Sequence, residues 1–149
     1  MPTTIIRPTP KQREARRILN QNNILLFGGG IRGGKSYFLL LSILSYCFQY
    51  NKSRWLVMRE SMPTLKRNLF PTFNSILQMG FAQYVKEWNQ QTQVVTFLNG
   101  SEIIFMAESF DTDKELNRFR GLEINGAGID EANEIQEATF NKIIERTGS

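Results

Sequence analysis

Residues 28–36 read Gly-Gly-Gly-Ile-Arg-Gly-Gly-Lys-Ser, a stretch with almost no side chains until its end. Gly29, Gly30, Ile31, Arg32, Gly33, Gly34, Lys35 and Ser36 satisfy the spacing G-x(4)-G-K-[ST] in full. Glycines at these positions permit φ > 0 and remove β-carbons, so successive backbone N–H groups can close around a phosphate. A helix starting near Lys35 would point its positive end at that anion. In such a loop the lysine reaches the β- and γ-phosphates of ATP and the Ser36 hydroxyl ligates Mg²⁺. The same stretch also spells Gly28-x-Gly30-x-x-Gly33, a dinucleotide fingerprint. That alternative wants an acid about 20 residues on, at the end of the next strand; only Glu60 is near, and Lys35-Ser36 would go unexplained. A glycine turn with no ligand is the third reading.

A second group of polar residues lies in Ile129-Asp130-Glu131. At the end of a buried strand, Asp130 could hold the hydration shell of the Mg²⁺ ion beside Ser36, the task of a Walker B aspartate. Glu131 could then orient or deprotonate the attacking water. Taken alone, two acids opening a helix more often serve as a cap and dipole device, and the phosphate loop upstream is what favours catalysis. Arg32 has two readings as well. It could stabilise charge on the γ-phosphate, in its own or a neighbouring subunit's site, or it could simply be solvated or pair with Glu60 or Glu131. Arg120 and Arg146 are weaker candidates for the same role.

These groups need a scaffold. Ile24 to Phe27 reads as a short buried strand stopped by the glycines, and 35–50, apolar on nearly every face, as a packed helix. Trp55 to Met58 is a second buried strand, so strand, loop, helix and strand form one βαβ unit with parallel strands. Residues 61–79 look helical, with Pro63 at the start and Pro71 breaking or kinking the run. Two β-rich runs flank Asn99-Gly100, a strong hairpin signal. Residues 122–130 read as a glycine-interrupted strand, thinned by about 0.5–1 kcal/mol per glycine. Short helices are expected at 11–19 and 136–146, and a short charged helix or turn at 111–118. The fold class is therefore α/β, a P-loop NTPase three-layer sandwich with a mostly parallel central sheet and an added β-hairpin.

Composition narrows the chemistry further. The chain has 149 residues and no histidine, which excludes Ser-His-Asp triads, Cys-His pairs and histidine-ligated metals. Net charge is +4, but residues 1–70 hold 12 Lys or Arg against two acids while 71–149 hold six against 12. A basic first half fits a phosphate or nucleic-acid surface, or merely solvated helix faces. Lys52, Arg54, Lys66 and Arg67 are the positions to test for DNA contact. The longest apolar stretch, 37–48, is too short for a bilayer, and the start of the chain is basic without a signal-peptide apolar core. Cys47, the lone cysteine, reads as a core thiol in a reducing compartment.

The segment from Gly29 to Ser36 resembles the arginine-bearing Walker A of phage terminase large subunits, the ATPases that pump viral DNA into procapsids. Thr9-Pro10-Lys11-Gln12 is similar to the family's adenine-binding segment, which implies that Gln12 contacts the adenine edge. The hairpin, Asp113-Lys114 to Arg120-Gly121, and Ile129-Asp130-Glu131-Ala132 follow the family's order. The resemblance implies a Mg²⁺-dependent ATPase with Lys35, Glu131 and Arg32 catalytic. It implies double-stranded DNA, a portal and a small terminase subunit as partners, a homo-oligomeric ring, and the bacterial host cytoplasm. It further implies that 1–149 is one ATPase domain, incomplete at its C-terminus, since the family continues with a coupling strand and a nuclease domain. A DEAD-box-like helicase core and a nucleotide-binding assembly module with negligible turnover are the alternatives.

Overall fold

Most of the described strands are short apolar runs bounded by turn residues, and the parallel ones find their partners far away in sequence. A computed structural model describes residues 5–6, 24–27, 34–108 and 124–130, with side chains from 36 to 108 and from 124 to 130. The strands are β1 (Ile5–Ile6), β2 (Ile24–Phe27), β3 (Arg54–Arg59), β4 (Val85–Asn89), β5 (Val94–Phe97), β6 (Glu102–Ala107) and β7 (Gly126–Asp130). They form one sheet in the order β1-β2-β7-β3-β6-β5-β4. β1, β2, β7, β3 and β6 run parallel, and β5 and β4 are antiparallel additions at the edge.

The architecture is the expected α/β fold with a mostly parallel sheet and a hairpin at Asn99-Gly100, where Gly100 takes φ +86°. β2 and β3 are parallel, as a βαβ unit demands, yet they are not neighbours. β7 lies between them, pairing Ala127 with both Ile24 and Leu56. β1 and β4 are strands that the sequence pattern did not reveal. The expected helices at 11–19 and 136–146 and the helix or turn at 111–118 lie outside the described residues.

Helix α1 (Gly34–Gln49) packs on one face of the sheet. Leu39, Leu40, Ile43 and Cys47 join Trp55 and Val57 of β3 and Ile103 and Phe105 of β6 in one apolar cluster. The alternate residues Leu56, Met58, Ile104 and Met106 are no more than 8% exposed, so the opposite face is shielded too, as a three-layer sandwich requires. A helical run from Met62, kinked near its end where Gly80 takes φ +122°, adds Leu65, Leu69, Phe73 and Ile76 to the cluster. Pro71 does not break this run. The preceding turn, Leu65–Leu69, widens to π geometry, and the Phe70 N–H donates to the Leu65 carbonyl, which accommodates a residue lacking an N–H.

The glycines of β7 have a packing reason. A β-carbon on Gly128 would sit 2.9 Å from Leu39 Cδ1, 3.1 Å from Leu39 Cγ and 3.3 Å from Ile43 Cγ1. The strand is bare where α1 presses on it, and the propensity penalty is the cost of that close approach. At its other end α1 has no basic residue to meet its last carbonyls. The hairpin supplies donors instead: Asn99 Nδ2 and Ser101 Oγ both approach the Cys47 carbonyl, at 2.8 and 2.9 Å. Ser53 Oγ–H donates to the Tyr50 carbonyl at 2.6 Å, just past the helix.

Gly128→Val should therefore lower the unfolding free energy by about 1–3 kcal/mol through overpacking against Leu39. An unchanged denaturant midpoint would show that Leu39 yields freely. Burial also pushes the Cys47 thiol up from its ordinary pKa, which suppresses the reactive thiolate. Native chain should resist iodoacetamide and react once denatured; equal rates in both states would contradict the core placement.

Candidate functional site

In parallel sheets with helical crossovers, ligands bind beyond the carboxyl ends of the strands. Three neighbouring strands deliver polar side chains to that edge: β3 ends in Arg59, β6 is followed by Glu108, and β7 ends in Asp130. α1 begins at the same edge, because its crossover starts where β2 stops. The period of two along each strand decides which way the side chains face. Val57 belongs to the cluster beneath α1, so Arg59 projects toward α1 as well. Gly128 lies under Leu39, which puts Asp130 on that same side.

The result is a compact polar junction under the first turn of α1. Ser36 Oγ–H donates to Asp130 Oδ2 at 3.1 Å across 94 positions of sequence. Arg59 Nη1 donates to the same oxygen at 2.9 Å. The side chains of Arg59 and Asp130 are 13% and 3% exposed, so this ion pair is largely dry and little screened. Arg59 Nε is buried with no acceptor among the described residues. The Glu108 N–H donates to the Arg59 carbonyl at 2.8 Å, tying the ends of β6 and β3 together.

Ser36 and Asp130, the two residues expected to serve a metal, are thus brought together. Gly34 and Lys35 open α1, with the Lys35 side chain outside the described set. Gln12, Gly29, Gly30, Ile31, Arg32, Gly33 and Glu131 also lie outside the described residues. Arg59 was missed by sequence reasoning, although a cation closing an apolar strand run was a usable signal. The dinucleotide reading fares poorly here: its fold sets the first two strands side by side, whereas β7 separates β2 from β3.

Two hard oxygens within hydrogen-bonding distance, one of them a buried carboxylate, suit Mg²⁺ held partly by protein and partly by a bound phosphate. Among the described residues no group of three or more His, Cys, Asp and Glu could cage a metal unaided. The Ser36–Asp130 pair fits a metal shared with a bound phosphate.

The basic residues considered for DNA do not form a single patch. Lys52 and Arg54 are at the amino end of β3, while Lys66 and Arg67 follow its carboxyl end. Arg54 Nε also donates to Glu102 Oε1 at 2.8 Å. Removing the Asp130 carboxylate would strand the Arg59 charge. Asp130→Ala should cost about 3 kcal/mol or more of stability, part of it recovered by adding Arg59→Met. Equal denaturation midpoints for the parent and the single variant would mean the pair is not stabilised by burial.

Comparison with known proteins bears on the family and the fold. The family model described as phage terminase large subunit matches residues 20–148. The fold is similar to that of the large terminase from a thermophilic bacteriophage, with a TM-score of 0.69 at 15% identity over 88% of this chain and 32% of that one. The same phage protein in complex with ADP gives 0.65 at 19% identity over 92% and 33%. Its complex with ATP-gamma-S gives 0.61 at 15% identity over 92% and 32%. The chain thus spans about a third of the length of those large terminases. No curated protein gives a match. With most of its length covered by that family model, the chain belongs to the phage terminase large subunit family.

Proposed function

We propose that residues 1–149 form the ATP-binding and ATP-hydrolysing domain of a terminase large subunit that powers movement of viral double-stranded DNA into a procapsid. The observation that carries this reading is the Ser36–Asp130 contact: a hydroxyl at the start of α1 meeting a buried carboxylate at the end of β7. The ADP and ATP-gamma-S complexes of the thermophilic phage terminase support nucleotide as the ligand.

In this proposal the backbone of 29–34 cradles the phosphates and the Lys35 ammonium neutralises their terminal charge. Gln12 holds the adenine edge. Ser36 and Asp130 would hold Mg²⁺, which would supply charge neutralisation at the phosphoryl oxygens. Glu131 takes the proton of the water that attacks the γ-phosphorus, and Arg32 stabilises charge as the bond from that phosphorus to the departing ADP lengthens. Release of phosphate then alters contacts at the cradle and biases an element that grips DNA. A portal, a small terminase subunit and further copies of the chain in a ring complete the proposed machine. Among the described residues no helix is long and apolar enough to cross a membrane.

Two substitutions separate binding from turnover. Lys35→Ala should weaken ATP binding about 30-fold or more, as expected for losing about 2 kcal/mol or more of charged contact. Glu131→Ala should keep that affinity while steady-state phosphate release drops about 10²- to 10⁴-fold. Hydrolysis at the parent rate in the Glu131 variant would remove Glu131 from the mechanism. Phosphate release that rises with added DNA supports a motor domain. No release at any chain concentration, with ATP bound, would instead identify an assembly module.

A further inference from the structure

Asp130 Oδ2 accepts two donors, and they differ in one respect. The Ser36 hydroxyl can give its proton to Asp130 while its lone pairs stay available to a metal ion, so that hydrogen bond is compatible with a loaded site. Arg59 is a cation at 2.9 Å from the very oxygen that a divalent ion or its water would use. Two positive charges cannot share a carboxylate whose side chain is 3% exposed without strong repulsion, because little water is present to screen them.

Arg59 is also incompletely satisfied where it stands. Its Nε is buried and finds no acceptor among the described residues, although one Nη is bound to Asp130. A guanidinium has five donors in a rigid fork and suits an anion with several oxygens better than one carboxylate oxygen. It lies beside the first turn of α1, where the phosphate cradle is proposed to end.

We infer that Arg59 is an exchangeable counter-ion for Asp130, resting on the metal-and-nucleotide reading of the site given above. In the nucleotide-free chain it neutralises the buried carboxylate and excludes a divalent ion. Arg59 leaves Asp130 only when an arriving polyphosphate offers its guanidinium other oxygens. The metal is therefore admitted together with nucleotide and not before it. Arg59 is a positioning residue in this scheme, acting through Asp130.

Binding of Mn²⁺ alone, followed by electron paramagnetic resonance in the absence of nucleotide, tests this directly. Arg59→Gln, with folding checked by circular dichroism, should bind Mn²⁺ about tenfold or more tightly than the parent, as relief of a buried like-charge contact predicts. Adding Asp130→Asn to that variant should abolish the gain. A purely structural ion pair would lower the thermal midpoint and leave Mn²⁺ affinity unchanged, and that outcome overturns the inference. Should the Gln variant not fold, the parent decides. Its Arg59 Nε–H resonance should stay in place with Mg²⁺ alone and move when Mg²⁺ and ATP-gamma-S are added together; movement with Mg²⁺ alone, or with neither, overturns it. ATP binding by the parent is measured separately. Its absence would defeat the proposed function, whereas ATP binding with unaltered Mn²⁺ affinity in Arg59→Gln would defeat only the role of Arg59.

Discussion

A carboxylate cannot be sealed from water without donors to replace its hydration, and the fold around Asp130 answers that requirement from two directions. One donor comes from the first turn of α1 and the other from the end of β3, although the three residues are scattered across the chain. Both contacts depend on strand order. If β7 lay at the sheet edge, Asp130 would have neither the β3 terminus at its side nor the helix above it.

The same demand accounts for the composition of β7. A strand in the middle of a parallel sheet is ordinarily filled with branched apolar side chains, yet this one reads Gly-Ala-Gly before Ile129 and Asp130. Bulk at Gly128 would lift α1 off the sheet, and Ser36 rides on α1. The apolar contact of Leu39 with the bare strand and the polar contact of Ser36 with Asp130 are thus one arrangement. Intrinsic strand propensity yields here to proximity.

How much of this was legible in the sequence differs from element to element. β2, α1 and β3 could be read because apolar runs punctuated by glycine and by Asn51-Lys52-Ser53 carry both type and boundary. The hairpin could be read from Asn99-Gly100, since a positive φ at that glycine is a local property. Pairing of Ser36 with Asp130 was legible only through the spacing of the phosphate loop, which implies a metal and so implies an acid. β1 has two residues, and β4 has no fully buried residue, so neither has a pattern strong enough to notice. Arg59 was hidden for a different reason. Its place beside Asp130 follows from β7 inserting between β2 and β3, and adjacency of that kind is decided by the packing of the whole sheet.

Helix α1 is fixed at both extremities by polar contacts, with Ser36 on Asp130 at one end and the Cys47 carbonyl under Asn99 and Ser101 at the other. Its 16 residues therefore act as a ruler between two surfaces that do not move apart. One inserted or deleted residue within it would rotate one terminus against the other by about 100° and shift it by about 1.5 Å. Either the serine would lose the carboxylate or the hairpin would lose the carbonyl. Side chains along the helix can drift over time within the limits of packing, but its length cannot.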